Sequence, residues 1–254
     1  MKTTLIATLG ALASLTAAVH ANPGIVYNDA TGDIDPGIST GGGTLDLVSM
    51  EVSNTSTDIQ FKLTVNGNIG TTDWGKFMIG MSTGNPGTTS GNGWGRPINM
   101  SSTAGGMDFW VGSWVDSGGA AQLWNYTTGS WNGPAAPGGF ALAAGAQSTI
   151  TYTLSLASLG LNNGDTFFFD AYSSANGGSD GAVDALANPN VSITSWGDSY
   201  TSTGANIFSY TVVPAPGAPR CWASLASSAR ASVADEHDVD CVLSAFLAQQ
   251  SALR

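Results

Sequence analysis

Apolar and polar residues exchange places at every step through Ile59-Gln60-Phe61-Lys62-Leu63-Thr64-Val65, and again through Ile150-Thr151-Tyr152-Thr153-Leu154-Ser155-Leu156. Only an extended chain sends successive side chains to opposite faces, so this period of two specifies strands with one face buried and one wetted. Seven more segments read as strands from their β-branched and aromatic content and their Gly, Asn, Pro or Ser boundaries. They are Gly24–Tyr27, Leu45–Val52, Phe77–Met81, Met107–Trp114, Ala121–Tyr126, Thr166–Tyr172 and Asn206–Val213. No amphipathic helical pattern separates them, although Ser155–Leu161 has room for one helical turn. About nine short strands without crossover helices predict an all-β fold, an antiparallel, jelly-roll-like β-sandwich spanning residues 22–213.

Charge narrows the partners. Between Asn22 and Gly217 the only cations are Lys62, Lys76 and Arg96, set against fourteen Asp and Glu. Phosphate backbones and anionic membranes need clustered Lys and Arg, so no nucleic-acid partner is expected. A neutral polysaccharide or a divalent cation suits this surface better.

Histidine and cysteine are also missing from this stretch: His20 and His237 lie before and after it, as do Cys221 and Cys241 after it. A Ser-His-Asp triad, a Cys-His pair, a His-ligated zinc or a thiolate cluster cannot be assembled without those residues. The Gly-rich runs Gly41-Gly42-Gly43 and Gly91-Asn92-Gly93 lack the Lys-Ser/Thr ending and strand-to-helix setting of a phosphate loop. Glycoside hydrolysis needs only two carboxylates. The one glutamate of this stretch, Glu51, however, sits in a strand, and most aspartates occupy turns, where Asp serves the backbone. No catalytic residue is assigned; a carboxylate-dependent glycosidase is the least favoured reading.

Two acidic groups have ligand character. Asn28-Asp29-Ala30-Thr31-Gly32-Asp33-Ile34-Asp35 offers three carboxylates and an amide oxygen in a Gly-containing loop. Calcium takes such oxygen mixtures, although the EF-hand spacing and its distal glutamate are absent. Asp170, Asp180 and Asp184 form a second group around the loop after the Phe167-Phe168-Phe169 strand. Each group is either a structural Ca2+ site, with Asp29, Asp33, Asp35, Asp180 and Asp184 as ligands, or a set of ordinary hydrogen-bonded turns.

The loops Ser82–Pro97 and Ser173–Ser195 are polar yet carry embedded aromatics and acids, as ligand-binding loops do. Seven tryptophans fall between Trp74 and Trp196. Trp110 and Trp114 are four residues apart on one strand, so they share a face and can form a platform. Trp94 stands beside Arg96 in a polar loop, with Trp124, Asn125 and Trp131 near in sequence. These residues supply stacking faces and hydrogen-bond donors for a sugar; the alternative is that the indoles are core.

At the N-terminus, Met1-Lys2, an apolar run from Leu5 to Val19 and Val19-His20-Ala21 follow the pattern of a secretory signal cleaved after Ala21, residues 1–21. The run is too short and too interrupted by Thr and Ser for a membrane span. At the other end, Val213-Pro214-Ala215-Pro216-Gly217-Ala218 resembles the opening of a PEP-CTERM sorting signal, the tag of exosortase-processed proteins in bacteria that make exopolysaccharide. That resemblance implies secretion to the cell surface and the exosortase machinery as a partner. The Leu/Gly helix and Arg cluster of that family do not follow. Instead residues 214–254 end in a segment of foreign composition. The single codon of Trp222, read in the shifted frame, forces Leu and then Gly, so the segment reads as a frameshifted sorting tail. The alternative is a genuine soluble tail with a small amphipathic helix over Val239–Leu253.

Taken together, the Asn28–Asp35 loop, the Trp-rich central strands, and Asp180-Gly181-Ala182-Val183-Asp184-Ala185-Leu186 before Trp196 and Tyr200 are similar to the DOMON-like sandwiches. That group includes family 9 carbohydrate-binding modules and the C-terminal module of glucodextranase-type enzymes. The resemblance implies a calcium-stabilised sandwich with affinity for sugar. The expected function is therefore an exported, surface-sorted carbohydrate-binding or matrix module without catalysis, against a structural surface protein that binds nothing.

Overall fold

The structure, a computed structural model, describes residues 22–214. The signal, the segment from Ala215 onward, both cysteines and the Val239–Leu253 helix expected from sequence all lie outside the described residues.

The described residues form an antiparallel β-sandwich. Sheet A runs in the order β1(Ile25–Asn28), β2(Leu47–Asn54), β3(Asp58–Val65), β11(Ser148–Ser155), β10(Gly139–Ala143). Sheet B runs β13(Asp184–Ala185), β12(Thr166–Ser174), β4(Lys76–Ser82), β7(Phe109–Trp114), β8(Ala120–Thr127), β9(Ser130–Ala135), with β15(Phe208–Thr211) also on β12. A third, small sheet holds β14(Tyr200–Thr203), β5(Ile98–Ser102) and β6(Gly105–Gly106), in which β14 and β5 run parallel. All nine expected strands are present; β5, β6, β9, β10, β13 and β14 were not legible, being short or, like Ser130–Ala135, without an apolar face. Residues 156–160 close a hydrogen-bonded turn, Leu159 N–H to Ser155 O at 3.2 Å, and no helix forms there.

Alternation places the first core. Ile59, Phe61, Leu63 and Val65 point inward from β3, opposite Leu154, Tyr152 and Ile150 of β11 and Val52 and Met50 of β2. Across the sandwich they meet Phe77, Ile79 and Met81 of β4, Val111 of β7, and Phe167, Phe169 and Ala171 of β12. Phe61 packs edge-on against both Phe167 and Phe169.

The central strands of sheet B, β12, β4 and β7, differ from sheet A in being buried on both faces. The outward side chains Met78, Trp110 and Tyr172 enter a second core with Ile34, Ile38, Leu45, Ile98, Met100, Met107, Val183, Ile193 and Tyr200. Trp110 stacks on Tyr172 with centroids 6.0 Å apart. The roof of this second core is made by the small sheet and by the long segments that the sequence marked as ligand loops. A strand covered on both sides cannot alternate, and β4 accordingly reads Phe-Met-Ile-Gly-Met from Phe77.

Truncating Phe61 removes a fully buried ring from the centre of the first core, so Phe61→Ala is expected to cost about 3–5 kcal/mol in urea unfolding. Ile25→Ser, on the 49 % exposed Ile25 of edge strand β1, is expected to change stability by less than about 0.5 kcal/mol.

Candidate functional site

The fold joins the two acidic groups that are far apart in sequence. Asp29 follows β1 directly, its N–H bonded to Val48 O at 3.0 Å, and Asp33 stands on the loop that turns away from it. Asp184 opens β13, where Tyr172 and Ser173 of β12 pair with Ala185 and Asp184. The carboxylate oxygens of Asp29, Asp33 and Asp184 lie within 4.8 Å of one another. Asp184 is 1 % exposed, and its oxygens accept from Leu47 N–H at 2.7 Å and Ala185 N–H at 2.8 Å. Asp29 Oδ1 accepts from Ala30 N–H at 2.8 Å. Asp29 Oδ2 and both oxygens of Asp33 are buried without any hydrogen-bond partner.

Asp46 stands behind this group, 6 % exposed, accepting from Gly32 N–H and from Asn66 Nδ2 at 3.0 Å. Its charge acts on Asp33 and Asp184. Burial first, then the charges of Asp184 and Asp33, push the Asp29 carboxyl up to about 9. Burial, followed by Asp33, drives Asp184 well above the usual carboxylate range, and Asp33 is raised by burial and by Asp46. Among the described residues the ion pairs are Lys62–Glu51 and Lys76–Asp116, and neither reaches the cluster.

Desolvated like charges at this spacing cannot all ionise unless a cation joins them. The donors are oxygens only, which suits a hard ion of the calcium kind and excludes a thiolate or imidazole zinc centre from these residues. Asp29 and Asp33, with their unpartnered oxygens, and Asp184 would hold such an ion.

The other carboxylates expected as ligands stand elsewhere. Asp35 Oδ1 accepts from Gly37 N–H at 2.8 Å and closes its own turn. Asp180 Oδ2 accepts from Gly177 N–H at 2.7 Å. Asp170, grouped with them in sequence, is fully buried on β12, bonded to Ser202 Oγ, Ala171 N–H and Ala187 N–H, and raised to about 7 by burial. Asp46 was missed by sequence reasoning. The available signal was an acid between the apolar neighbours Leu45 and Leu47, a position that a solvated turn does not explain.

Two residues expected to touch ligand need correction. Trp110 does share the outward face of β7 with Trp114, but it is fully buried under the second core, so no platform of the two exists. Arg96 is 5 % exposed; its guanidinium donates to Ser174 Oγ at 2.7 Å and to Asp180 O and Ala175 O at 3.1 Å. It clasps the loop after β12 and is not a free donor.

What remains open is the rest of that face. Between Trp110 and Trp114, Gly112 leaves a gap, and the Trp94 indole lies across it so closely that any Cβ at Gly112 would collide with the ring. Gln122 Oε1 accepts from Trp94 Nε1–H at 2.8 Å and from Trp124 Nε1–H at 3.3 Å, which fixes both indoles. Lys76, Trp94, Arg96, Trp114, Gln122 and Gly178 line an open depression of about 300 Å³. Lys76 Nζ is held by Asp116 at 2.8 Å. Trp131 packs against the second core, edge-on to Tyr126, and Asn125 points to the opposite face of sheet B, paired with Phe109 and Asn132.

No protein-family model, curated protein or solved structure matches this chain. The site therefore rests on its own chemistry.

A raised carboxyl pKa stabilises the fold at low pH and ceases to do so as pH climbs through the folded value. With Asp170 near 7 and Asp29 near 9, the cation-free protein is expected to lose stability from pH 5 to pH 9. Melting scans in chelator should show this, and millimolar calcium should restore more at pH 8 than at pH 5. Saturation a hundredfold above Kd corresponds to about 2.7 kcal/mol. Asp33→Asn should abolish that calcium increment while raising the cation-free melting temperature at pH 8, because one of the clustered charges is gone.

Proposed function

We propose that this protein is an exported, surface-sorted module that binds a neutral polysaccharide without catalysis, with calcium as a structural ion in the Asp29, Asp33 and Asp184 cluster. The depression bounded by Trp94, Trp114 and Gln122 carries this reading. It combines indole surface for stacking on the apolar face of a sugar ring with an amide whose nitrogen has no partner among the described residues. Of its two cations, Lys76 is neutralised by Asp116 and the Arg96 guanidinium is taken up by Ser174 Oγ and the Asp180 and Ala175 carbonyls, which favours a neutral ligand over a uronate or phosphate. Secretion and exosortase sorting rest on residues 1–21 and on the Val213–Ala218 motif.

The acids give little support to a glycosidase. None of the clustered carboxylates lines this depression, and no Asp or Glu does, so no acid pair flanks a sugar bound there. A purely structural surface protein is the competing reading. It draws on the packing of Trp74, Trp124, Trp131 and Trp196 against the second core, which gives most indoles a role without ligand.

Retention on a panel of insoluble and soluble neutral polysaccharides separates the two. Trp114→Ala is expected to lower affinity for the retained polymer roughly 30-fold, about 2 kcal/mol for a stacking anchor, with an unchanged melting temperature. Failure of every polymer to retain the protein would leave the structural reading standing.

A further inference from the structure

β8 presents side chains to both faces of sheet B, and the face opposite the Trp94 depression has a hollow of its own. Asn125 lies beside Phe109 of β7 on the inward side, beyond the point where Ala121 and Leu123 pack into the first core. Pro86, Phe109, Asn125, Tyr126 and the turn Thr127–Gly129 enclose about 410 Å³ there.

We infer that this hollow is a second binding site for a neutral pyranose, so that one domain holds two glycan chains, one on each side of sheet B. The ligand class rests on the sugar-binding reading of the first depression; the site itself rests on its own residues. No cation lines it. Asp108 at its floor is 1 % exposed, with its carboxylate occupied by Thr83 N–H, Thr83 Oγ1–H and Asn85 N–H. Recognition by charge is therefore absent. Pro86 and Phe109 offer apolar surface and the Asn125 amide has no side-chain partner among the described residues, while the Tyr126 ring alternates to the other face, edge-on to Trp131. Apolar surface beside an unpartnered amide matches a ring with one apolar face and a rim of hydroxyls.

The rim is also strained. Thr128 holds φ at 53° and Gly129 at 84°, a two-residue hairpin turn in which Asn or Gly is the favoured first residue. A β-branched side chain is costly in the left-handed region, and such strain collects at binding sites.

Titration calorimetry of the purified protein with gluco-, manno- and galacto-tetrasaccharides, with light scattering on the matching polymers, tests this. Two sites per chain are expected, with polymer cross-linking by the unmodified protein. Asn125→Ala should weaken one site about tenfold, Trp114→Ala should weaken the other, and each alone should abolish cross-linking. Thr128→Gly relieves the strain, so it should raise the melting temperature while weakening the Asn125 site; a merely structural turn would not separate those two effects. A single site lost on Trp114→Ala and untouched by Asn125→Ala overturns the second site and leaves the first. Binding that survives Trp114→Ala but not Asn125→Ala overturns the first and leaves the second. No binding of any tetrasaccharide overturns both.

Discussion

The central strands of sheet B, β12, β4 and β7, have two apolar faces and only one partner sheet, and most of this structure follows from covering the second face. Sheet A closes the inner face through Phe61, Leu63, Ile150 and Tyr152. The outer face, with Met78, Trp110 and Tyr172, would otherwise stand in water, where each ring of that size forfeits a few kcal/mol of burial. The described residues hold no α-helix to lay over it, only a 3-10 turn at Asp116–Gly118. Long Gly-rich segments do so, carrying Ile34, Ile38, Met100, Val183 and Ile193 as their apolar contributions. Close approach is what the glycines permit: Gly80 leaves space for Met107, and Gly112 for Trp94.

Covering a sheet with loops brings polar backbone and side chains into the interior, and each group then needs a partner. Arg96, Asn92, Ser174 and Asp170 meet that need with hydrogen bonds across the loops. The same compression drives Asp29, Asp33 and Asp184 together, with Asp46 behind, where hydrogen bonds leave three oxygens unanswered. Unbonded oxygens set this cluster apart from Asp170, which has no counter-charge either. Asp170 is more deeply buried, yet every oxygen it has is bonded. A bound divalent ion and a shared proton are the two ways to relieve the cluster, and pH decides between them.

The two faces of sheet B also divide the aromatic residues by role. Trp110 and Trp114 obey the same strand period and look equivalent along the chain. The roof of the second core ends between them, so one is interior and the other borders solvent. Trp94 comes from a loop and still reaches the sheet, because Gly112 opposes it and Gln122 anchors its indole nitrogen. Arg96, two residues further on, lies with its guanidinium 5.6 Å from the Trp94 ring centroid and fastens the loop.

The sequence by itself determined the strands whose side chains alternate, the all-β class, the absence of histidine and cysteine chemistry between Asn22 and Gly217, and the candidate character of Asp29, Asp33 and Asp184. Those properties are local: they depend on residue type and on a period of two. Tertiary structure alone decided that Asp184, more than 150 residues after Asp29, would complete its cluster in place of Asp35, and that Asp46 would stand behind it. It also decided that Trp110 and Arg96 would be interior while Trp114 stayed at the surface. Such outcomes depend on which loop covers which face, a long-range packing choice that nearest-neighbour patterns along a strand do not encode.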